Sequence, residues 1–242
     1  ALRLAASRRA DEREDIELTA LIDGRQRGVA AAGGLLSVLV DPADPYCDLP
    51  AVLSWSLSAE WAAEARAILL LAQSPAGIVD DRLAAALIGI PVSPARQLLS
   101  ALAVRHLIDR AQDGWRTHDL VRAWARDTAQ RELGDAQCRE ARPRAVGYYL
   151  WTADEMDRLL LPQRGRAAPV STLPRPLGGP RWSGGADALA WGDAVLAAIP
   201  DAIVMARELG ETACAAELPH ILMSYLNLRK PWAQWIAVCR AG

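Results

Sequence analysis

The feature that most constrains the fold of this chain is the junction Thr117-His118-Asp119, where a predicted β-hairpin runs directly into a predicted helix. Asp113-Gly114 is typical of a tight turn that needs a positive φ, and short strands are expected on both sides of it, at 107–111 and 115–118. Asp119 is expected to accept a backbone N–H hydrogen bond where the helix begins. The apolar residues that follow share one helical face: Leu120, Val121, Trp124 and Ala125. The junction therefore holds His118 at a rigid corner, from which a ring nitrogen can face a neighbouring domain or a ligand.

Composition and charge narrow the function classes. The chain has 242 residues, which is long enough for a sizeable core in one large domain or in a few small ones. Its formal net charge of -2 provides no basic excess for binding a phosphate backbone, so nucleic acid is not the default partner. The four cysteines form no C-x-x-C pair and lie far in sequence from the three histidines, which argues against a zinc site and against a disulfide framework.

Hydropathy predicts where in the cell the protein is located, and the first residues indicate whether the sequence is a fragment. No apolar run reaches the roughly 18 residues that a membrane-spanning helix needs, and no signal segment opens the chain, so we expect a cytoplasmic protein. The chain does not begin with Met, and residues 1–6 look like the middle of an amphipathic helix. We therefore expect a fragment of a longer protein.

The spacing of apolar and turn residues predicts a mainly α-helical chain. Its expected parts are a small helical domain at 1–50, a winged-helix domain at 51–133, a connecting helix at 134–161, a Pro/Gly-rich linker at 162–185, and helical hairpins that begin a solenoid at 186–242. The linker combines five prolines with five glycines, which predicts an exposed or partly disordered segment. In the last part, Trp232 and Trp235 are expected near one helical face and are the best candidates for a partner surface.

The winged-helix prediction depends on three helices followed by the hairpin as a wing. The helices are expected at 60–73, 80–88 and 93–106. Asp80-Asp81 begins the second helix, and Ser93 is the expected cap of the third. His106 is expected at the end of that third helix, where a partly positive side chain is favourable. His220, after Pro219, is expected to be either a capping histidine or one whose hydrogen bonds are satisfied within the fold.

Together these residues resemble the NB-ARC class of STAND signalling ATPases, and most closely the SARP-type (AfsR-like) transcriptional regulators of actinobacteria. Thr117-His118-Asp119 stands where that family has Met-His-Asp, with Thr117 in place of Met. The other matching stretches are Leu53-Ser-Trp-Ser-Leu57, Leu99-Ser-Ala-Leu102, His106-Leu107-Ile108, His118-Asp-Leu-Val-Arg122-Ala-Trp-Ala125, Ala188-Leu-Ala-Trp191 and Trp232-Ala-Gln-Trp235-Ile236. The resemblance covers nearly the whole chain, from the end of the nucleotide domain to the first repeat.

The resemblance implies a nucleotide switch. In that family a nucleotide-binding domain precedes a small helical domain, a winged helix and tetratricopeptide repeats, and the motif histidine contacts the β-phosphate of bound ADP. Exchange of ADP for ATP releases that contact and permits self-association. If these family roles are carried over to this chain, His118 is the phosphate sensor and Asp119 fixes the corner. The ADP or ATP would then be bound by an upstream domain of the same polypeptide. Because this chain has no P-loop and no Walker B acidic run, we expect it neither to hold nucleotide tightly nor to hydrolyse it; any ATPase activity belongs to the full-length protein.

The roles of the corner residues have alternatives. His118 either contacts nucleotide in the intact protein or only fills the junction, with Asp119 as an ordinary N-cap. Arg122, one helical turn from Asp119, pairs either with that carboxylate or with phosphate.

Two function classes compete. In the first, the chain is a regulatory, non-catalytic module whose repeats bind a protein or ligand or self-associate, with DNA reached only through another domain and no membrane contact. In the second, it is a DNA-binding winged helix that reads DNA with residues 94–106. That helix offers Arg96, Gln97 and Arg105, and the preceding helix begins with two aspartates, a charge pattern that favours the first class. A free-standing enzyme has almost no support, since no nucleophile, base and orienting group stand at a recognisable spacing.

Overall fold

The computed structural model describes residues 61–165 and 167–242, and within them the protein is mainly helical with a small three-stranded antiparallel sheet. The elements in chain order are α1 (Ala62–Leu71), β1 (Ile78–Val79), α2 (Asp81–Ile88), α3 (Val92–Val104), β2 (Ile108–Ala111), β3 (Gly114–Thr117), α4 (Asp119–Glu132), α5 (Gly134–Leu160), α6 (Gly185–Val195), a 3-10 helix (Leu196–Ala198), α7 (Ile199–Glu208), α8 (Thr212–Ile221), α9 (Met223–Arg229) and α10 (Trp232–Ala241). The mainly helical fold class is confirmed. The predicted domain at 1–50 and the stretch 53–57 lie outside the described residues.

The sheet has the strand order β1-β3-β2, with both pairs antiparallel. The predicted hairpin is confirmed, and Gly114 has a φ of 149°, so a glycine suits the turn as expected. A Cβ on Gly114 would also lie 2.4 Å from the carbonyl oxygen of Val79 on the neighbouring strand. Glycine is therefore required here both for the turn and for the close approach of β1.

The sheet contains a strand that the hairpin prediction missed. Ile78 and Val79 form β1, which pairs along β3 opposite Arg116 and Trp115. The sequence did not predict β1, because a strand of two residues is too short to show any alternation of apolar and polar positions.

The helix caps were predicted with mixed success. The second helix starts at Asp80-Asp81 as predicted, and Asp80 is its cap, since its Oδ1 accepts from the backbone N–H groups of Arg82 and Leu83 at 2.9 and 2.6 Å. Ser93 does not cap α3. That helix already begins at Val92, after Pro91, which has no side-chain acceptor to offer.

Arginine side chains from later helices satisfy carbonyls at the ends of earlier ones. Arg122 and Arg126 of α4 donate to the carbonyl oxygens of Ala72 and Ser74, just beyond α1, over 2.6–2.9 Å. In the same way Arg144 of α5 donates to the carbonyls of Ala86 and Leu87 in α2. The carboxyl end of a helix carries a partial negative charge and carbonyls without helical partners, so these contacts join helices distant in sequence.

Helix α5 is the central element of the described chain. It contacts α2 and α4 on one side and α6, α7, α8 and α9 on the other. The predicted helix at 134–161 is confirmed, and Pro143 lies within it rather than at its start. Its buried residues include Val146, Tyr149, Leu150 and Ala153, as the helical spacing predicts.

The predicted linker packs along α5 in its middle part. Leu173 is buried, and its carbonyl accepts a hydrogen bond from Trp151 Nε1 at 3.1 Å. Arg175 lies over the ring of Trp151, 3.8 Å from its centroid. A Cβ on Gly147 would come within 2.2 Å of the Pro174 carbonyl oxygen, so the glycine in α5 permits this contact. Composition alone predicts exposure here, whereas the buried contacts attach the segment to α5.

The last part of the chain is helical, as predicted, but in more pieces. The helix expected at 186–209 is divided by the 3-10 turn at Leu196–Ala198, and the helix expected at 211–228 is divided at Leu222. Gly210 follows the helix expected at 186–209 and has a φ of 79°, as expected of a glycine that ends a helix. The rings of Trp232 and Trp235 are stacked, with centroids 5.4 Å apart, which confirms that they share a face.

The sequence predicted no apolar segment long enough to span a membrane, but one helical stretch has that length. Gly185–Glu208 has the length and composition of a spanning helix, and α2 with α3 pass the same test as one segment bent by 101°. The first is a weak candidate, because 44% of its apolar window is buried inside the protein. Within this stretch Asp193 accepts hydrogen bonds from Tyr225 and Arg229, so its polar side is engaged by helix α9.

A buried polar chain connects the two halves of the described chain. The Tyr148 hydroxyl on α5 donates to Asp80 Oδ2 at 2.5 Å and accepts from Trp191 Nε1 on α6 at 2.7 Å. Asp80 thus caps α2 with one carboxylate oxygen and bonds Tyr148 with the other. Burial, followed by the charge of Asp80, raises the pKa of Tyr148, so the phenol remains a donor.

Replacement of this phenol tests the connection. Tyr148→Phe leaves one Asp80 oxygen and the Trp191 N–H without their partner, and we expect a loss of about 1–3 kcal/mol in the free energy of unfolding, measured by urea denaturation. Tyr149→Phe is the matched control, because the neighbouring hydroxyl bonds no group within the described residues. Equal losses in the two variants would contradict the assigned role.

Candidate functional site: the His118 corner and its cleft

The predicted corner lies between β3, which ends at Thr117, and α4, which begins at Asp119. Thr117 is buried and its N–H donates to the Gly77 carbonyl at 3.1 Å. His118 has an extended backbone, with φ -59° and ψ 143°, and its carbonyl accepts the first helical bond from Arg122 at 2.8 Å. The strand and the helix therefore restrain the backbone of His118 from both sides.

Asp119 does not have the predicted capping role. His118 occupies the cap position, and α4 has no side-chain cap. The helix begins one residue earlier than the predicted cap implies, because the extended backbone at His118 is already the last non-helical position. Asp119 is exposed in the first turn, where a carboxylate is favoured by the helix dipole.

The His118 ring contacts a residue that the sequence reasoning did not identify. Its Nε2 lies 2.7 Å from Oδ2 of Asp109 on β2, and the two side chains are 58% and 53% exposed. Asp109 lies opposite Arg116 in the hairpin, so it is diagonal to residue 118 on the same face of the sheet. A register drawn from the Asp113-Gly114 turn could have found this neighbour.

A cleft of about 570 Å³ opens beside the corner. One wall is formed by the backbone at 75–78 and by the corner itself, and the other by the chain at 194–201 around the 3-10 helix. Tyr148 and Tyr149 of α5 also line it. The cleft therefore lies between the sheet-bearing half and the later helices, with elements from both halves fixing its shape. Its volume is in the range of small-molecule pockets.

Arg122 brings a partly buried positive charge to the cleft. Its Nη2 donates to the Ser74 carbonyl at 2.6 Å, while its buried Nε has no partner within the described residues. No carboxylate among those residues lies within 4.0 Å of this guanidinium, so the ion pair with Asp119 that the sequence left open is not formed. Burial lowers the pKa of Arg122, against the opposing effect of Asp119 and Asp201. Neighbouring Arg126 is affected in the same way, since burial and then the charge of Arg122 lower its pKa to about 10.

Asp80 is the most buried acid on the cleft. Burial raises its pKa, although the Leu83 N–H and the Tyr148 hydroxyl act to lower it. Its oxygens are bonded to the α2 amides and to Tyr148, so it belongs to the structural connection between the halves.

The remaining histidines lie elsewhere. His106 follows α3 with a φ of 57°, and its N–H bonds the Ala103 carbonyl at 2.9 Å, which places it at the helix end as predicted. His220 lies in the last turn of α8, where its Nε2 is 3.1 Å from Arg164 Nη2. Among the described residues no group of three or more His, Cys, Asp or Glu is arranged to hold a metal ion.

No protein-family model, no curated protein and no solved structure matches the chain.

Because His118 and Asp109 are both exposed, their contact should contribute little to the stability of the fold. We expect His118→Ala and Asp109→Ala each to change the free energy of unfolding by less than about 1 kcal/mol, because polar contacts between exposed side chains contribute little. Urea denaturation of the two variants and the parent measures this. A loss of several kcal/mol would indicate that His118 serves the fold of the corner rather than a ligand.

Proposed function

We propose that this chain is the regulatory, non-catalytic part of a nucleotide-switched transcriptional regulator in which His118 senses the phosphate of a nucleotide carried by an upstream domain. The observation that carries the proposal is the position of His118. Its backbone is restrained between β3 and α4, while more than half of its side chain is exposed on the border of a cleft. An imidazole held in this way can meet a group supplied by another domain.

The element order supports a winged helix as the sensing domain. The elements follow the order α1-β1-α2-α3-β2-β3, and the hairpin β2-β3 follows the third helix, where a wing would stand. In the proposed role His118 follows the wing directly, so nucleotide contact would couple to the orientation of this domain. The helices from 186 onward would begin the repeats, with the stacked Trp232 and Trp235 on a surface for a partner or for self-association. The proposed setting is the cytoplasm, with no membrane contact.

Asp109 gives the proposed sensor a defined resting partner. A neutral imidazole has one N–H to donate. The same nitrogen that lies 2.7 Å from the Asp109 carboxylate could donate instead to a β-phosphate oxygen of ADP. The nucleotide would supply a competing anion, and the side chain of His118 would exchange one acceptor for the other. Arg116 and Arg122 add positive charge to the same cleft, which the carboxylates of Asp119 and Asp201 oppose.

The alternative is a DNA-binding winged helix, with α3 as the recognition helix. Its basic side chains have partners within the chain. Arg96 pairs with Asp81 at 2.7 Å, and Arg105 lies over the Trp61 ring, 3.6 Å from its centroid. These contacts leave little free positive charge to meet phosphates. Salt-sensitive binding of random duplex DNA in a gel shift at low salt would favour this alternative over the proposal.

The sensing role predicts a change in the full-length protein. We expect His118→Ala to retain less ADP through purification and to self-associate more, because the phosphate loses a hydrogen-bond donor that holds the closed state. Nucleotide content by chromatography and mass by light scattering measure both effects. His220→Asn is the matched control, since His220 is also exposed but lies on α8 and does not line the cleft. Unchanged nucleotide content in His118→Ala would contradict the sensing role.

A further inference from the structure

The cleft beside the corner contains charges of both signs without matching partners. Arg122 has one bonded nitrogen, Nη2, and one buried nitrogen, Nε, without a partner in the described chain. Its Nη1 faces the position of Gly77, where a Cβ would lie 3.6 Å away. Nε is closed off from solvent, whereas Nη1 makes no hydrogen bond within the described residues and is the group that can take an acceptor from the cleft.

The negative charges of the cleft lie on elements from both halves. Asp119 is on α4 and Asp201 is on α7, and both are exposed. Both act electrostatically on Arg122, yet neither forms an ion pair within the described residues. They are therefore near enough to influence a charge in the cleft and too far to neutralise the guanidinium by contact.

Three further polar groups on the cleft differ in whether they already have a hydrogen-bond partner. Asp80 and Tyr148 bond each other and are already satisfied. The Tyr149 hydroxyl bonds no group in the part of the chain that the structure describes. Burial raises the pKa of Tyr149, so this hydroxyl stays neutral and can donate or accept.

We propose that this cleft binds a free α-amino acid, with the carboxylate on Arg122 and the ammonium group towards Asp119 and Asp201. A ligand with only negative charge would meet two carboxylates, and one with only positive charge would meet a buried guanidinium. An α-amino acid presents both charges, and the volume of about 570 Å³ leaves room for a side chain. This inference goes beyond nucleotide sensing and does not depend on it, since every residue involved lies in the described chain.

Binding of such a ligand would join the two halves of the chain. The carboxylate would be held from α4 and the ammonium group partly from α7, so the ligand stabilises the folded arrangement in proportion to its occupancy. The cleft would then act as an effector site next to His118.

The test uses this chain and the twenty standard amino acids as probes, added one at a time at millimolar concentration while Tm is followed. The proposal predicts that at least one amino acid raises Tm. Its N-acetyl derivative, which lacks the ammonium group, and its amide, which lacks the carboxylate, should not. No response to any of the twenty would overturn the proposal. An equal response to the N-acetyl derivative or to inorganic phosphate would indicate a simple anion site and overturn it as well.

Substitutions identify the binding groups by titration calorimetry. Arg122→Gln should weaken binding of the active amino acid by at least about tenfold, because it removes a desolvated charge partner. Arg126→Gln is the matched control, since Arg126 bonds the same end of α1 but does not line the cleft. Equal weakening in both variants would overturn the assignment of Arg122.

A second pair of variants keeps the test valid if Arg122→Gln fails to fold. Asp201→Asn removes an exposed carboxylate and should weaken binding severalfold without loss of folding. Glu132→Gln, at the far end of α4, is its control and should bind as the parent does. Unchanged affinity in Asp201→Asn would contradict the placement of the ammonium group.

Discussion

The structure depends on the buried contact between the Tyr148 hydroxyl and the Asp80 carboxylate. One oxygen of that carboxylate begins α2, and the phenol in turn accepts from Trp191 on α6. A buried network of this kind is favourable only while each member is satisfied, so loss of one bond affects the others. The contact therefore joins the sheet-bearing half to the later helices through α5, and Tyr148 and Asp80 also line the cleft between them.

The sensing role proposed for the corner depends on this framework. The backbone at His118 is restrained by a buried strand on one side and by a helix on the other, whereas its ring is exposed and bonded to Asp109. An exposed pair contributes little to folding and can exchange partners at low cost. A rigid backbone combined with an exchangeable side-chain contact is suited to sensing a phosphate group. The buried charge of Arg122 extends the same surface into the cleft.

Local features were predictable from the sequence, and long-range ones were not. The Asp113-Gly114 turn and the start of α2 at Asp80-Asp81 depend on residues within a few positions of each other, so the local sequence predicts them. Strand β1 has two residues and no pattern, and the bond between Tyr148 and Asp80 spans 68 positions. The segment at 162–185 has the composition of a free linker, but it packs on Trp151 and Gly147 of α5. That packing surface cannot be predicted from the sequence of the segment itself. At the site, the corner was predicted, whereas Asp109 required the hairpin register.

The most direct test of the central claim is phosphorus NMR of ADP bound to the full-length protein, compared between the parent and His118→Asn. If His118 donates to the β-phosphate, the β-phosphorus resonance of the bound nucleotide shifts in the variant while the α-phosphorus resonance stays in place. Identical spectra of bound ADP in the two proteins would show that the histidine does not touch the phosphate, and would contradict the account of the corner as a nucleotide sensor.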